Sequence, residues 1–349
     1  MLTKQYHNIL VNALVNLGDV VLTTSAIALL KKAYPEAKIT MLVKPAVKEA
    51  VENNPVIDDV IVFKYKAKDN SIGQMLSMVK ELKRRKFDLS ISFDRKLRPA
   101  LLVFLAGIPV RVGPDKVFDD NLSKVTLLYT DVMHIKHDLE TTLQAEIYQE
   151  IVRLFTGLKE HAVPVFARIT KKAEQNADKL LARLPAGKKR IALCVKGTFE
   201  LKTWPKEYFV QTVTELAKKL DAAFFIVGAP NDKEYAEEVI ADMPCKVENF
   251  CGETSLVDLA AVFKKTDLLI TVDTGATHIA ATTGIKMITI YGCTSPKRWH
   301  PINDKAIVLT SEESCCPCKC RVDECPSEPK PNCLWSVLPE DILQLMNIK

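Results

Sequence analysis

The sequence predicts an α/β protein built from two doubly wound, mostly parallel sheets. Short apolar runs typical of strands alternate with amphipathic segments typical of helices in both halves of the chain. The chain has 349 residues, 48% hydrophobic and 26% charged, which suits a globular protein whose two domains each bury a core. A polar, helical stretch at 162–189 interrupts the alternation, and we interpret it as the crossover between the domains.

The first half opens with a buried strand that runs into a helix. The apolar run at 9–15 is typical of a strand covered on both faces, and Pro35 ends the helix after it. The next segments are KITMLV (strand), PAVKEAVENN (helix), VIDDVIVF (strand), SIGQMLSMVKELKRRK (helix), FDLSISF (strand), ALLVFLAGI (helix) and VRVG (strand). Because parallel strands need crossover connections, this order predicts helices on both faces of a mostly parallel sheet.

The same alternation begins again after the crossover. Its segments are RIALCV (strand), KEYFVQTVTELAKKL (helix), AAFFIVG (strand), DKEYAEEVIADM (helix), SLVDLAAVFKKT (helix), DLLITV (strand), GATHIAATTG (helix), KMITIYG (strand) and LPEDILQLMNI (helix). Pro339 and two acidic residues suit the N-terminus of the last helix. We therefore place two domains at 1–165 and 166–335. Residues 336–349 form a C-terminal helix, and packing against the N-terminal domain is one arrangement open to it.

Charge and hydropathy narrow the class of protein. The formal net charge of +5 is mild, and the basic clusters at 64–68 and 80–86 are typical of solvated surface, with attraction to an anionic substrate or membrane as the alternative. The sequence has no apolar stretch of about 20 residues that would span a membrane. Its N-terminus lacks the apolar core of a signal peptide. We expect a cytoplasmic protein without a nucleic-acid partner.

The first candidate site loop contains Gly18 and Asp19, directly after the opening strand. Ligands of doubly wound sheets bind beyond the carboxyl ends of the strands, which is where this Asp lies. An Asp at the start of a helix often serves only as its N-cap, and on local sequence that is the simpler interpretation.

The second candidate loop is VKGTFELKTWPKEYF, between a strand and a helix. Its Gly–Thr turn offers backbone N–H groups and a hydroxyl to a phosphate, and its lysines offer charge. An ordinary loop with solvated lysines and a Trp filling the core explains the pattern equally well. The loop matches neither a P-loop nor a dinucleotide fingerprint.

The third candidate loop, DTGATHIAATTG, follows a buried strand and opens a helix. The free N–H groups of a helix N-terminus bind anions. The simple alternative is a capped helix with a satisfied, half-buried His278. Small polar residues at a strand end favour a phosphate ligand here.

Four features resemble one family, in the same order along the chain. They are Gly18-Asp19, KGTFELKTWP, VDTGATHIAA and the cysteine segment that continues into CLWSVLPEDI. Together they are similar to glycosyltransferase family 9, the ADP-heptose:lipopolysaccharide heptosyltransferases, over 8–348. The resemblance implies the GT-B architecture, in which two Rossmann-like domains face each other. The N-terminal domain would bind the acceptor and the C-terminal domain the nucleotide-sugar.

The resemblance also implies roles for individual residues. Asp19 would be the general base that takes the proton from the acceptor hydroxyl. A single displacement would invert the anomeric centre without a second carboxylate as nucleophile. The implied donor-binding residues are Lys196, Gly197, Thr198, Lys202, Thr254, Asp273, Thr274, Gly275, Ala276 and His278. No cofactor is expected for catalysis, since preorganised donors and cations stabilise a leaving diphosphate.

Six of the ten cysteines lie in one segment, 315–333. A disulfide framework is not expected in a chain of this size with its other cysteines scattered. Four thiolates in the segment have spacings that suit a structural zinc, namely Cys316, Cys320, Cys325 and Cys333. Free thiols and pairing by oxidation are the open alternatives.

The expected function is the transfer of heptose from ADP-heptose to the inner core of lipopolysaccharide, with Kdo-lipid A or a heptosylated core as acceptor. The expected partners are an ADP-sugar and that acceptor at the inner membrane, which allows a peripheral contact with the cytoplasmic membrane face. Two alternatives stay open. One is a GT-B enzyme for another nucleotide-sugar, such as a UDP-sugar, and the other is a non-catalytic scaffold with a metal-stabilised cysteine segment.

Overall fold

The computed structural model describes residues 4–64, 72–118, 121, 124–318, 325 and 331–347. The chain divides into two compact units, Met1–Arg168 and Ile169–Lys349. Within the described residues, each unit is built around a six-stranded sheet in which all paired strands are parallel. The division falls three residues from the boundary expected from the sequence.

The first unit contains the elements that will hold its candidate base. Its strands are β1 (Asn8–Asn12), β2 (Lys38–Val43), β3 (Asp59–Val62), β4 (Leu89–Ser92), β5 (Val110–Pro114) and β6 (Asp131–Met133). Its α-helices are α1 (Leu17–Ala33), α2 (Lys48–Val51), α3 (Ile72–Arg85), α4 (Leu97–Leu105) and α5 (Gln144–Thr156). Short 3-10 helices cover Pro45–Val47 and Lys124–Leu128.

The second unit repeats this arrangement. Its strands are β7 (Lys189–Cys194), β8 (Ala222–Ile226), β9 (Val247–Asn249), β10 (Leu268–Val272), β11 (Lys286–Tyr291) and β12 (Ala306–Thr310). Its α-helices are α6 (Lys171–Leu181), α7 (Lys206–Lys219), α8 (Lys233–Ala241), α9 (Leu256–Lys264), α10 (Gly275–Thr282), α11 (Pro296–Trp299), α12 (Asn332–Trp335) and α13 (Pro339–Leu345). Short 3-10 helices cover Glu200–Lys202 and Pro230–Asp232.

The two sheets have the same strand order. It runs β3-β2-β1-β4-β5-β6 in the first unit and β12-β11-β10-β7-β8-β9 in the second. The direction of winding reverses between β1 and β4, and again between β7 and β10. A crevice opens at such a reversal, outside the carboxyl ends of the strands. The prediction of two doubly wound parallel sheets is confirmed, and the reversal points select the loops after these four strands as candidate site loops.

The strands at the reversal points are buried on both faces. Every residue of β1 after Asn8 and every residue of β10 after Leu268 is buried, as expected for parallel strands rich in Val, Ile and Leu. In register, Leu10 pairs with Thr40 and Ser90, and Ile270 pairs with Leu193 and Ile288. These central strands hold the following loops on rigid supports.

The segment PAVKEAVENN differs from its predicted long helix. It forms a 3-10 turn, Pro45–Val47, followed by a four-residue α-helix. Six further elements were not predicted from the sequence pattern, namely β6, β9, β12, α5, α11 and α12.

The last helix, α13, packs on α7 within the second unit. Its Ile342 is completely buried in the core of that unit, and Trp204 Nε1 donates a hydrogen bond of 2.9 Å to the carbonyl of Val337 just before the helix. None of the helices in the described part of the chain has the length and apolar character needed to cross a membrane.

Candidate active site

Asp19 lies in the first turn of α1, at the carboxyl edge of the first sheet. The N-cap of this helix is Asn16, so the interpretation of Asp19 as a cap is wrong. A carboxylate in the first turn is favoured by the positive end of the helix dipole. Its Oδ1 accepts a hydrogen bond of 2.7 Å from the hydroxyl of Tyr148. The carboxylate therefore has a partner that holds it in one orientation.

Tyr148 is a completely buried residue of α5, which packs along α1. Its ring meets that of Phe93, the residue after β4, edge to face with the centroids 5.6 Å apart. The hydroxyl thus comes from a rigid position in the core. Tyr148 was not predicted as a site residue, because 129 positions separate it from Asp19 and no local pattern connects them.

Further charged residues follow the neighbouring strands at the same edge. Lys44 follows β2, and its ammonium is 3.2 Å from Oδ1 of Asn16, with its pKa lowered by burial and by Lys96. Asp94 follows β4 and is completely buried, and burial raises its pKa. The backbone N–H of Lys96 donates to Asp94 Oδ1 at 2.8 Å. The edge that carries Asp19 is therefore a polar site with charges of both signs.

In the second unit, three side chains meet at the end of β10. Asp273 follows β10 and is 6% exposed. Its Oδ2 accepts hydrogen bonds from the ammonium of Lys202 and from the hydroxyl of Thr294, each at 2.6 Å. A nearly buried carboxylate of this kind fixes the position of a cation, which makes Lys202 a preorganised group for an anionic ligand.

Gly197 allows the loop after β7 to fold back on itself. A Cβ at this position would lie 2.4 Å from the carbonyl oxygen of Lys202, so only glycine fits without a shift. Its N–H donates to Thr203 Oγ1 at 3.1 Å. The contribution of Gly197 is therefore to the shape of the loop that presents Lys202, since its own N–H is already bonded.

The N-terminus of α10 lies directly after Asp273. Thr274 is its N-cap, Gly275 and Ala276 are its first two residues, and the Thr274 N–H donates to Thr277 Oγ1 at 3.3 Å. The first turn of a helix presents unpaired N–H groups and the positive end of the dipole, which suits a phosphate oxygen. Thr274 also lies near β7, with its Oγ1 3.9 Å from Cys194 Sγ.

His278, in the first turns of α10, is a buried and neutral side chain. Burial lowers its pKa to about 4, and the nearby Lys202 acts in the same direction, against the opposite effect of Asp273. Its Nδ1 is buried and makes no hydrogen bond within the described part of the chain. The simple alternative of a satisfied, half-buried histidine is therefore wrong. His278 brings no positive charge to this site at neutral pH.

Three other predicted donor residues lie outside this hydrogen-bonded group. The ammonium of Lys196 lies over the ring of Tyr235, 5.4 Å from its centroid. Thr198 is exposed, and Thr254 lies half-buried before Ser255, the N-cap of α9. All three follow strands of the second sheet at its carboxyl edge, without a described contact to the Lys202–Asp273 pair.

Thr294 is a site residue that the sequence pattern did not predict. It lies in the GCTSPKRWHP segment, three residues after β11, and its hydroxyl donates to Asp273 at the end of the neighbouring strand β10. A polar residue just beyond a central strand was the available signal.

Four of the described cysteines form two pairs. The thiol of Cys316 is hydrogen-bonded to Cys333, which raises the pKa of Cys316 and lowers that of Cys333. Cys325 packs instead against Cys293, and Cys320 lies outside the described residues. No three His, Cys, Asp or Glu side chains among the described residues are arranged to hold a metal. The structural zinc stays a prediction.

Known proteins match this sequence over most of its length. The sequence model of a family described as glycosyltransferase family 9 (heptosyltransferase) matches residues 75–329. A putative glycosyltransferase of Haemophilus influenzae is 28% identical over 303 residues, which cover 82% of this chain and 84% of that protein. Lipopolysaccharide heptosyltransferase 2 of Escherichia coli K12 is 23% identical over 301 residues, 84% of each chain.

Solved structures resemble this fold closely. A glycosyltransferase family 9 structure from Veillonella parvula has a TM-score of 0.84 and 24% identity, covering 98% of this chain and 97% of that one. The ADP-heptose lipopolysaccharide heptosyltransferase II of Escherichia coli has a TM-score of 0.79 and 19% identity, covering 97% of each chain. At these identities the likeness concerns the fold, and it confirms the predicted GT-B class.

Proposed function

The chain belongs to glycosyltransferase family 9, the heptosyltransferase family, and we propose that it transfers heptose from ADP-heptose to the inner core of lipopolysaccharide. The observation that carries the proposal is the Asp19 carboxylate, held by Tyr148 at the reversal point of the first sheet. An acid fixed at this place suits a base that must meet one hydroxyl of a bound acceptor.

The proposed reaction is a single displacement. Asp19 takes the proton of the acceptor hydroxyl while that oxygen forms a bond to the anomeric carbon of the heptose. The bond between the anomeric carbon and the diphosphate oxygen breaks, and ADP leaves with the electron pair. The anomeric configuration is thereby inverted. A hydrogen bond from Tyr148 stabilises the charged form of Asp19 and holds the carboxylate in place.

The proposed donor site lies in the second unit. The leaving diphosphate gains negative charge, which the Lys202 ammonium and the first N–H groups of α10 would stabilise. Asp273 and Thr294 set the position of Lys202 before the donor binds. Neutral His278 would contribute a neutral ring nitrogen rather than charge. The structural neighbour named for ADP-heptose supports this choice of nucleotide.

The proposed acceptor is the lipopolysaccharide core, as the name of the Escherichia coli relative suggests. Such an acceptor is anchored in a membrane, so the protein would work at the cytoplasmic surface of the inner membrane as a peripheral protein. Lys44, whose charge interacts with that of Asp19, and Lys96, whose charge interacts with that of Lys44, would provide charge for an anionic core sugar.

The test is product formation with defined donors and acceptors. Purified protein is given ADP-heptose or a UDP-sugar, each with Kdo-lipid A and with cores extended by one heptose, and products are identified by mass spectrometry. We expect transfer from ADP-heptose only, to one of these acceptors. Faster turnover of the UDP-sugar, or no transfer from ADP-heptose to either acceptor, would overturn the proposal.

A further inference from the structure

Exposed apolar side chains are concentrated on one side of the first unit. Of the twelve large hydrophobic residues that are exposed in the described part of the chain, six lie on α3, α4 and the 3-10 helix Lys124–Leu128. They are Ile72 (75% exposed), Leu76 (58%), Leu97 (61%), Phe104 (45%), Leu105 (40%) and Leu127 (86%). Apolar residues scattered singly are ordinary on a protein surface, whereas a concentration of them on neighbouring elements favours an interaction site.

The three elements are neighbours in the first unit. Helix α3 packs on α4 through Val79 and Leu82, which share a buried cluster with Leu102 and Val103. Helix α4 in turn packs against the 3-10 helix. We refer to the six exposed residues on these neighbouring elements, together with Lys80 and Lys83, as the α3–α4 face.

The sequence of α3 puts basic and apolar residues on the same flank. Val79 and Leu82 are buried on the inner side, so the i, i+4, i+8 and i+11 positions Ile72, Leu76, Lys80 and Lys83 follow one outer flank. The ion pairs of Glu81 on this helix are formed with other residues, at 2.8 Å to Arg84 and 2.7 Å to Arg85. Apolar side chains bordered by lysines are the composition of interfacial helices that bind anionic bilayers.

The α3–α4 face begins at the edge of the sheet that carries the candidate base. Leu97 opens α4 directly after Lys96, whose N–H is bonded to the buried Asp94 that follows β4. Tyr148, the partner of Asp19, packs on Phe93 in the same loop. The apolar surface therefore starts within a few residues of the site where the acceptor hydroxyl would react.

We propose that the α3–α4 face docks the protein on an anionic lipid bilayer. Leu76, Leu127 and the other apolar side chains enter the interfacial region, and Lys80 and Lys83 pair with lipid phosphates. The inference rests on the proposed function in one respect, that a membrane-anchored acceptor gives the docking a purpose. A bilayer fits better than a partner protein because exposed lysines border exposed apolar residues along one flank of α3.

Vesicle binding tests the proposal directly. The whole protein is sedimented with vesicles of phosphatidylcholine, with and without phosphatidylglycerol. We expect binding only when the anionic lipid is present, and weaker binding at high ionic strength. The variant Lys80→Gln with Lys83→Gln should lower the partition coefficient about 30-fold. The variant Leu76→Ser with Leu127→Ser should lower it roughly tenfold or more.

Matched control variants are available on other surfaces. Lys171→Gln with Lys172→Gln removes two exposed lysines from α6, and Leu154→Ser with Val163→Ser removes two exposed apolar side chains of the first unit. Both controls should bind vesicles like the original protein. Circular dichroism and urea unfolding are used to check that every variant is folded.

A second readout separates this proposal from the proposed function. Turnover of a water-soluble core oligosaccharide without lipid should be unchanged in the two α3–α4 variants, whereas turnover of vesicle-bound acceptor should fall with binding. Three results would overturn the docking proposal. They are no binding to anionic vesicles, equal binding by all variants, and a dimer of this chain in solution that buries the α3–α4 face. If the protein binds vesicles as described but transfers no heptose, the proposed function fails while the docking assignment stands.

Discussion

At the scale of single residues, the contact between Tyr148 and Asp19 gives the most specific prediction. The variant Tyr148→Phe keeps the buried ring and removes the hydrogen bond that orients the carboxylate, and because a misplaced base reacts slowly, kcat should fall about 10- to 100-fold. Because that bond favours the charged carboxylate, the acidic limb of the kcat–pH profile should also move to higher pH. The readout is the kcat–pH profile with ADP-heptose and the accepted core.

The matched control is Tyr208→Phe, which removes a tyrosine hydrogen bond of 3.2 Å to the carbonyl of Trp335 in the second unit. This control should leave the pH profile unchanged. A Tyr148→Phe variant with the original profile would show that Tyr148 only fills the core.

The buried His278 predicts a dependence of stability on pH. Its pKa is lowered to about 4 in the folded protein, whereas a histidine in the unfolded chain has a pKa near 6.5. As the pH falls from about 6.5 to about 4, this histidine therefore becomes protonated in the unfolded chain but stays neutral in the folded protein. Between pH 7 and pH 5 this difference lowers the free energy of unfolding by about 2 kcal/mol.

Urea unfolding at pH 7 and pH 5 measures this contribution. His278→Asn should reduce the loss between the two pH values, whatever its effect on stability at pH 7. The control His7→Asn changes an exposed histidine and should keep the full loss. An identical loss in all three proteins would contradict the account of His278.

Residues of the candidate site were predictable where chain-local signals existed. Asp19 and Asp273 each follow an apolar run at a strand end, so a sheet-edge position could be read from the sequence. Tyr148 and Thr294 reach these acids over 129 and 21 positions, through packing that no local pattern encodes. The buried state of His278 likewise depends on the elements around α10.

At the scale of elements, the loop after β7 and the N-terminus of α10 act together. The variant Lys202→Met removes the ammonium that Asp273 positions and leaves a buried carboxylate with one partner fewer. Losing one charge-assisted contact with the diphosphate should weaken ADP binding about 10- to 100-fold. The difference in affinity between the variant and the original protein should become smaller at high salt, because salt screens this contact in the original protein. Isothermal titration calorimetry with ADP measures the effect.

The matched control for this element is Lys196→Met. This lysine belongs to the same loop but lies over Tyr235, so its loss should weaken ADP binding much less than the loss of Lys202. Equal losses in the two variants would contradict the assignment of Lys202 as the preorganised cation.

Helices and strands were predicted well where the segment was long enough to show the periodic spacing of apolar residues typical of its type. The strands β1, β2, β7, β10 and β11 and the long helices match their predicted segments. The three-residue strands β6 and β9, with the sequences DVM and VEN, have too few apolar residues for that. They form because β5 and β8 pair with them in parallel, and this pairing depends on the assembled sheet rather than on the local sequence.

At the scale of the whole molecule, the same strand order occurs twice, and each sheet carries candidate site residues at its reversal point. The first unit supplies an acid held by a buried tyrosine, and the second supplies a cation and a helix N-terminus. This division predicts that changes in the first unit alter turnover, whereas changes in the second unit alter donor affinity. The two kinds of variant therefore separate in kcat and in the Kd for ADP.

The central claim is that Asp19 is the base and takes no part in holding the donor. The most direct measurement is made on Asp19→Asn, with Asp304→Asn as a control for an exposed acid of the second unit. Heptose transfer is followed alongside ADP binding. We predict that Asp19→Asn binds ADP with a Kd within about twofold of the original protein while kcat falls by about 10²- to 10⁴-fold, and that Asp304→Asn changes neither. Full turnover by Asp19→Asn would contradict the account.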